Sequence, residues 1–236
     1  TTLFLINYKM RIWDINPGYL NDKSLLKENL ELHDLCSIAI NNEISSSNHP
    51  EAKRWIEFIG ALNKRHELII AEMDFRGLKH YSQIEKNDNN IIWPSKFVDE
   101  PFRQFEILYD KYNNKSSGRI PLPISAQNLW SQHKYSVMAR DVNECKKIGR
   151  HVSVMRPDQN FSDLSRDLVD IIRTRPSIGG IRNSLQHMWG YFKNSHSITN
   201  INSLDLYSLL SDIQKYSHSN RYILESTALS ELRVWI

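Results

Sequence analysis

The chain has 236 residues, 40% hydrophobic and 24% charged, with 30 Lys+Arg against 27 Asp+Glu for a net charge of +3. That mix excludes global disorder, and so weak a charge excludes the strongly basic signature of a dedicated nucleic-acid module. The two cysteines, Cys36 and Cys145, lie far apart and outside any CxxC or Cys/His spacing, which excludes a disulfide framework and a zinc site and predicts inert thiols in a reducing cytoplasm.

Thr1–Lys9 has an apolar patch but neither a basic stretch before it nor a small-residue cleavage site after it, so it is a poor signal peptide. These residues are expected to lie upstream of the natural start, because the first recognisable pattern opens at Met10. Asn21 or Asp22 can cap a helix carrying Leu25, Leu26, Leu32, Leu35, Cys36 and Ile40, predicted to end near Asn41–Asn42. Ser45–Asn48 reads as a loop. Pro50 suits the first turn of a second helix running through Trp55, Phe58, Ile59, Leu62 and Ile69 to a stop at Gly77.

Lys86–Asn90 and Pro94, Pro101, Pro121 and Pro123 mark a connecting region with one helix around Phe102–Tyr112. Helical spacing resumes at 125–139, 142–155, 161–173, 179–194 and 203–217. Long alternating strands are absent, which predicts an all-α fold of two helical modules, 10–90 and 91–236, the second including the connecting region. No run of 18 apolar residues exists, so no membrane span is expected. Charge divides unevenly: residues 1–90 hold 11 Lys/Arg and 13 Asp/Glu, residues 91–236 hold 19 and 14.

From Met10 the chain reads MRIWDINPGYLNDKSLLKENLELHDL and later NHPEAKRWIEFIGALNKRHELIIAEMDFRGLKH. The Arg-Ile pair, the leucine-rich first helix with Glu28 and Glu31, the later histidine, and Lys64-Arg65, Ala71-Glu72 and Arg76-Gly77 fall in one order. Over about residues 10–80 this resembles the pyrimidine-dimer DNA glycosylase family, the endonuclease V of phage and its bacterial relatives. The resemblance implies a metal-independent DNA-repair glycosylase and AP lyase in which the N-terminal amine attacks C1′ of a damaged nucleotide. A strand nick then follows from β-elimination of the imine. Met10 would supply that amine and Glu31, 20 residues after Arg11, the catalytic carboxylate. An N-terminal amine, with an ordinary pKa of about 7.7–8.0, is substantially neutral near physiological pH and thus nucleophilic. Arg11, Lys23, His49, Arg54 and Arg65 would hold phosphates, although His49-Pro50 also reads as a plain helix start. Two positions depart from the pattern: Met10 stands where the viral enzymes expose threonine, and Leu30 where arginine is expected.

Residues 129–141 read LWSQHKYSVMARD and 173–193 read RTRPSIGGIRNSLQHMWGYFK. Over about 125–215 they resemble the YbgA-like domain family, a helical domain of no established activity. Tyr222–Ile236 departs from that family's proline-rich ending. His133, Lys134, Arg140, Arg175, Asn183, Gln186, His187 and Tyr191 are candidates for a phosphate or nucleotide pocket. The same residues equally read as an internal polar network, with Gly179-Gly180 as a tight packing corner. No Walker-type loop is present and no cofactor is expected. DNA is the expected partner, RNA the alternative, with a cytoplasmic or nucleoid location. A non-catalytic DNA- or RNA-binding adaptor and a small-molecule enzyme using the second module stand as rival readings.

Overall fold

The computed structural model describes residues 10–40, 49–80, 91–192 and 203–236, and all regular structure among them is helical. The predicted loop at Ser45–Asn48 and the polar run Lys86–Asn90 lie outside the described residues. Eleven α-helices follow in order: α1 (Asp22–Ile40), α2 (Pro50–Trp55), α3 (Ile59–Phe75), α4 (Pro101–Tyr112), α5 (Ala126–Met138), α6 (Val142–Val154), α7 (Ser162–Ile172), α8 (Ile178–Trp189), α9 (Leu206–Ser217), α10 (Arg221–Leu224) and α11 (Ala228–Glu231).

Asn21 caps α1, its Oδ1 accepting from the Ser24 N–H at 2.9 Å. The second helix is not continuous as the spacing predicts: it breaks between α2 and α3 at Ile56–Phe58. Trp55, Phe58, Ile59 and Leu62 keep helical spacing across the break, so the apolar pattern carries no mark of it. Buried Trp55 is held by its indole N–H on Glu51 at 3.2 Å, and Phe58 leaves helical geometry at φ −124° and ψ 45°. The bend turns Glu51 and Arg54 toward the first segment while α3 runs on past it. Gly77 ends α3 at φ +67°, with the Leu78 N–H on the Met73 carbonyl at 2.9 Å, a closure that favours glycine.

Helices α1 and α3 pack together; α5 forms a hairpin with α6 and also meets α7 and α8, while α8 packs on α9. The last segment turns back so that α11 and the short helical turn Leu232–Trp235 lie on α3. Leu229, Leu232 and Trp235 are buried there, in an apolar core continuous from Ile12 to Trp235.

Most of the motif HKYxxMARD is spent on folding. Asp141 caps α6, accepting from the N–H groups of Asn143 and Glu144 at 2.6 and 3.1 Å. Arg140 donates to the carbonyls of Ser136, Ile172 and Thr174 and pairs with Glu231 at 2.7 Å. Ser177 caps α8, and a Cβ on Gly180 would lie 2.0 Å from the Ala139 carbonyl oxygen, so α8 meets the α5–α6 corner backbone to backbone. Gly179 has no atom within 4 Å of its would-be Cβ.

Buried Glu72 of α3 joins the first part of the chain to the connecting region. Arg119 grips it with both forks, at 2.8 and 2.7 Å, and Arg76 adds a third bond at 2.8 Å. The two guanidiniums overcome the cost of burial and hold the carboxyl at about 2.

Two predictions follow from these contacts. Gly180→Ala should destabilise the chain by at least about 2 kcal/mol, since its methyl meets a backbone oxygen, whereas Gly179→Ala should leave the thermal midpoint unchanged or raise it; paired thermal melts decide. Glu72 has a folded pKa below its unfolded value of roughly 4.3. Its contribution, on the order of 2–3 kcal/mol, is therefore complete above about pH 5 and is lost as pH falls toward 2. Urea titrations of the parent and Glu72→Gln should converge over that window, and a pH-independent gap between them would contradict the assignment.

Candidate active site

Met10–Asn16 runs without regular structure over the N-terminal helices, and no sheet receives its backbone N–H groups. Side chains from three helices receive them. The Arg11 N–H donates to Glu31 Oε2 at 3.2 Å, Ile12 to Glu51, Trp13 to Glu28 Oε1 at 3.1 Å, and Asp14 and Ile15 to Gln104 Oε1 at 2.8 and 3.4 Å. Glu28 and Glu31 come from α1, Glu51 from α2 and Gln104 from α4.

Each buried acid needs its own counter-charge. Arg65 grips Glu28 at 2.8 and 3.0 Å and donates to the Ile15 carbonyl. Arg54 bonds Asp14, Glu51 and the Lys96 carbonyl, and Arg173 reaches the same Asp14 oxygen at 2.6 Å. Burial, opposed by Arg54 and aided by the nearby Asp14, pushes Glu51 up to about 7. Glu28 is also raised, by burial first, against the opposing Arg65.

Glu31 sits at the open end of this row. Its Oε2 takes the Arg11 N–H, and its buried Oε1 pairs with the Lys27 ammonium 3.3 Å away. Burial raises its pKa above the ordinary carboxylate value. Lys111 faces the same carboxylate, and its own pKa is lowered by burial and by the like charges of Lys27 and Arg11. The Arg11 guanidinium pairs with Asp99 at 2.5 Å and lies 5.0 Å from the Trp13 ring centroid. The nitrogen of Met10 therefore stands one residue from an atom bonded to Glu31, among the cations of Lys27, Lys111 and Arg11 and the carboxylates of Glu31 and Asp99.

The expected phosphate ligands divide. Lys23 is exposed on α1 and Arg11 is partly exposed. His49 is the N-cap of α2, its Nδ1 accepting from the Glu51 N–H at 3.2 Å, with burial lowering its pKa. Arg54 and Arg65 face inward, with side chains 6% and 3% exposed. Their guanidiniums are committed to Asp14, Glu51 and Glu28, because acids that accept backbone N–H groups in the interior require them. Sequence reasoning missed Lys27, Asp99, Lys111 and Glu51. Only Lys27 carries a local signal, standing four residues before Glu31 on one helix; Asp99 and Lys111 arrive through the fold.

The second-module candidates are dispersed. His133 is buried, with Nδ1 3.0 Å from the Leu129 carbonyl and 3.3 Å from the Tyr19 hydroxyl, and burial lowers it to about 4. Lys134 lies over the Tyr135 ring, and Tyr135 and exposed Tyr191 both pack on Tyr222. Arg140 is consumed internally. Asn183 and Gln186 are half-buried and His187 exposed on α8, away from the cleft that Arg175 lines with Trp93 and Trp235. Among the described residues no group of three or more His, Cys, Asp or Glu is arranged to hold a metal, and no helix is long and apolar enough to cross a membrane.

Residues 10–86 match the family described as pyrimidine dimer DNA glycosylase, and residues 134–231 match the family described as a protein of unknown function, DUF1722, which is YbgA-like. No curated protein and no solved structure matches the chain.

Proposed function

We propose that the first segment is a DNA glycosylase with AP-lyase activity, using the α-amine of Met10 in a chain that begins there. The supporting observation is the 3.2 Å bond between Glu31 and the Arg11 N–H, which sets a carboxyl of raised pKa beside the nitrogen one residue earlier. The neutral amine attacks C1′ of the damaged nucleotide; the glycosidic bond breaks and its electron pair leaves with the base, which takes up a proton. Loss of the amine proton and opening of the sugar give a protonated imine. Removal of a C2′ proton then expels the 3′ phosphate and nicks the strand, with Glu31 as the group that moves protons. Lys27, Lys111 and Arg11 attract the strand. The reacting C1′ is shielded inside a stacked duplex, so the nucleotide must swing out. The second segment helps hold the nucleic acid, its 91–236 module carrying the positive balance of the chain.

Borohydride trapping on duplexes with an abasic site or a cyclobutane dimer, in EDTA, tests this reading. The form starting at Met10 should give a covalent adduct. The form starting at Thr1 should give none, and Glu31→Gln should lower trapping at least about 100-fold. Trapping should rise with pH through the ordinary amine pKa of about 7.7–8.0, as the neutral amine is the nucleophile. Salt-dependent DNA binding with no adduct from either form would sink the lyase and leave a binding adaptor.

A further inference from the structure

A cleft of about 440 Å³ lies between the connecting region and the turn after α7, outside the row of acids at Glu31. Ile91, Trp93 and Ser95 of the connecting region form one wall; Arg173 and Arg175, just after α7, and Trp235 form the other. Its size falls within the roughly 300–1,000 Å³ of small-molecule sites.

The wall combines aromatic surface with one cation, Arg175, that no acid among the described residues pairs. Trp93 is half-buried, and its indole N–H is already used on the Arg173 carbonyl at 3.1 Å, so what it offers a ligand is ring. The Arg173 guanidinium lies 5.2 Å from that ring centroid. Lys64 and Arg140 back the Trp235 ring at 4.6 and 5.9 Å. Arg175 is exposed and makes no hydrogen bond or ion pair among the described residues. Asp170 is the one acid of the lining among the described residues, and it also pairs with Arg173 at 3.4 Å. A simple anion leaves the rings unused, and an apolar segment leaves Arg175 unused. A planar base carrying a phosphate uses both, by the stacking and guanidinium contacts that hold single-stranded nucleic acid.

We infer that this cleft binds one unstacked nucleotide, with its base against Trp93 and its phosphate on Arg175. Arg173 ties the cleft to the first segment through Asp14 at 2.6 Å. Asp14 is four residues from Met10, no more than about 15 Å along the chain. A nucleotide beside the one processed at Glu31 is therefore within reach. That placement rests on the proposed glycosylase reading; the affinity of the cleft does not.

The test is a tryptophan-fluorescence titration of the full chain at low salt with (dT)4, dTMP and inorganic phosphate, with no lesion and no borohydride. We expect quenching by (dT)4 and dTMP but not by phosphate. Arg175→Glu should weaken (dT)4 binding roughly tenfold or more and Trp93→Leu should remove most of the quench. Arg156→Ala, a fully solvated cation on another face with its side chain 79% exposed, should change neither. Tighter binding of (dT)4 than of dTMP assigns the site to a strand, and the reverse order assigns it to a free nucleotide. Absence of quenching by both, or quenching indifferent to Arg175→Glu and Trp93→Leu, overturns the assignment. Because Arg175 is exposed, its variant keeps the test decisive even if Trp93→Leu does not fold. A chain that fails imine trapping yet shows the Arg175-dependent quench loses the lyase and keeps the nucleotide site.

Discussion

Five consecutive backbone N–H groups, from Arg11 to Ile15, enter the interior with no strand to receive them. A buried N–H left without an acceptor costs roughly 1–3 kcal/mol, so this segment can lie where it does only because Glu31, Glu51, Glu28 and Gln104 replace a neighbouring strand. Much else follows from that substitution. Three of the four acceptors are acids, and acids in the interior require cations. Arg65 and Arg54 turn inward for this reason, and Glu51, with the weakest compensation, drifts toward neutrality.

The same demand reaches across the chain. Asp14 accepts from Arg54 and also from Arg173, which lies in the turn after α7, and Glu72 is held by Arg119 from the connecting region. Pairs so well buried are weak evidence of net stability, but removing one partner leaves an uncompensated charge. Their effect is to fix geometry: with α11 packed on α3, the segment carrying Met10 is held from both ends of the sequence. In the proposed lyase, a nucleophile and a carboxyl that must meet within a fraction of an ångström would gain from supports drawn from several rigid elements.

How much of this was legible follows the range of each signal. Helices marked by a cap and a periodic face lie within a few residues of the expected bounds: α5, α6 and α7 are bounded by Ser125, Asp141 and the turn at Arg173. The break at Ile56–Phe58 was not legible, because neither proline nor glycine occupies it and the apolar spacing continues. Glu31 was singled out by the family resemblance alone, and its bond to the Arg11 N–H arises only in the fold. Arg54 and Arg65 read as surface cations because a lone arginine in a helix gives no sign of which acid will face it. Asp14, Asp99, Lys111 and Arg119 act over separations of dozens of residues, and only the tertiary fold brings them in.

The two family signatures differ in what they can say about chemistry. In HKYxxMARD and RPSxGG, Asp141 and Ser177 are caps, Arg140 clamps three carbonyls and an acid, and Gly180 lets two backbones touch. These residues identify the fold because the fold needs them, and for that reason they are silent about what it binds. The information about ligands lies in the members that the fold leaves unused. In the second segment that is Arg175, exposed and lining a cleft with Trp93. In the nucleotide site inferred there, a cation and a ring together suit a phosphate that carries a planar base better than a small organic acid, which would call for the cation alone.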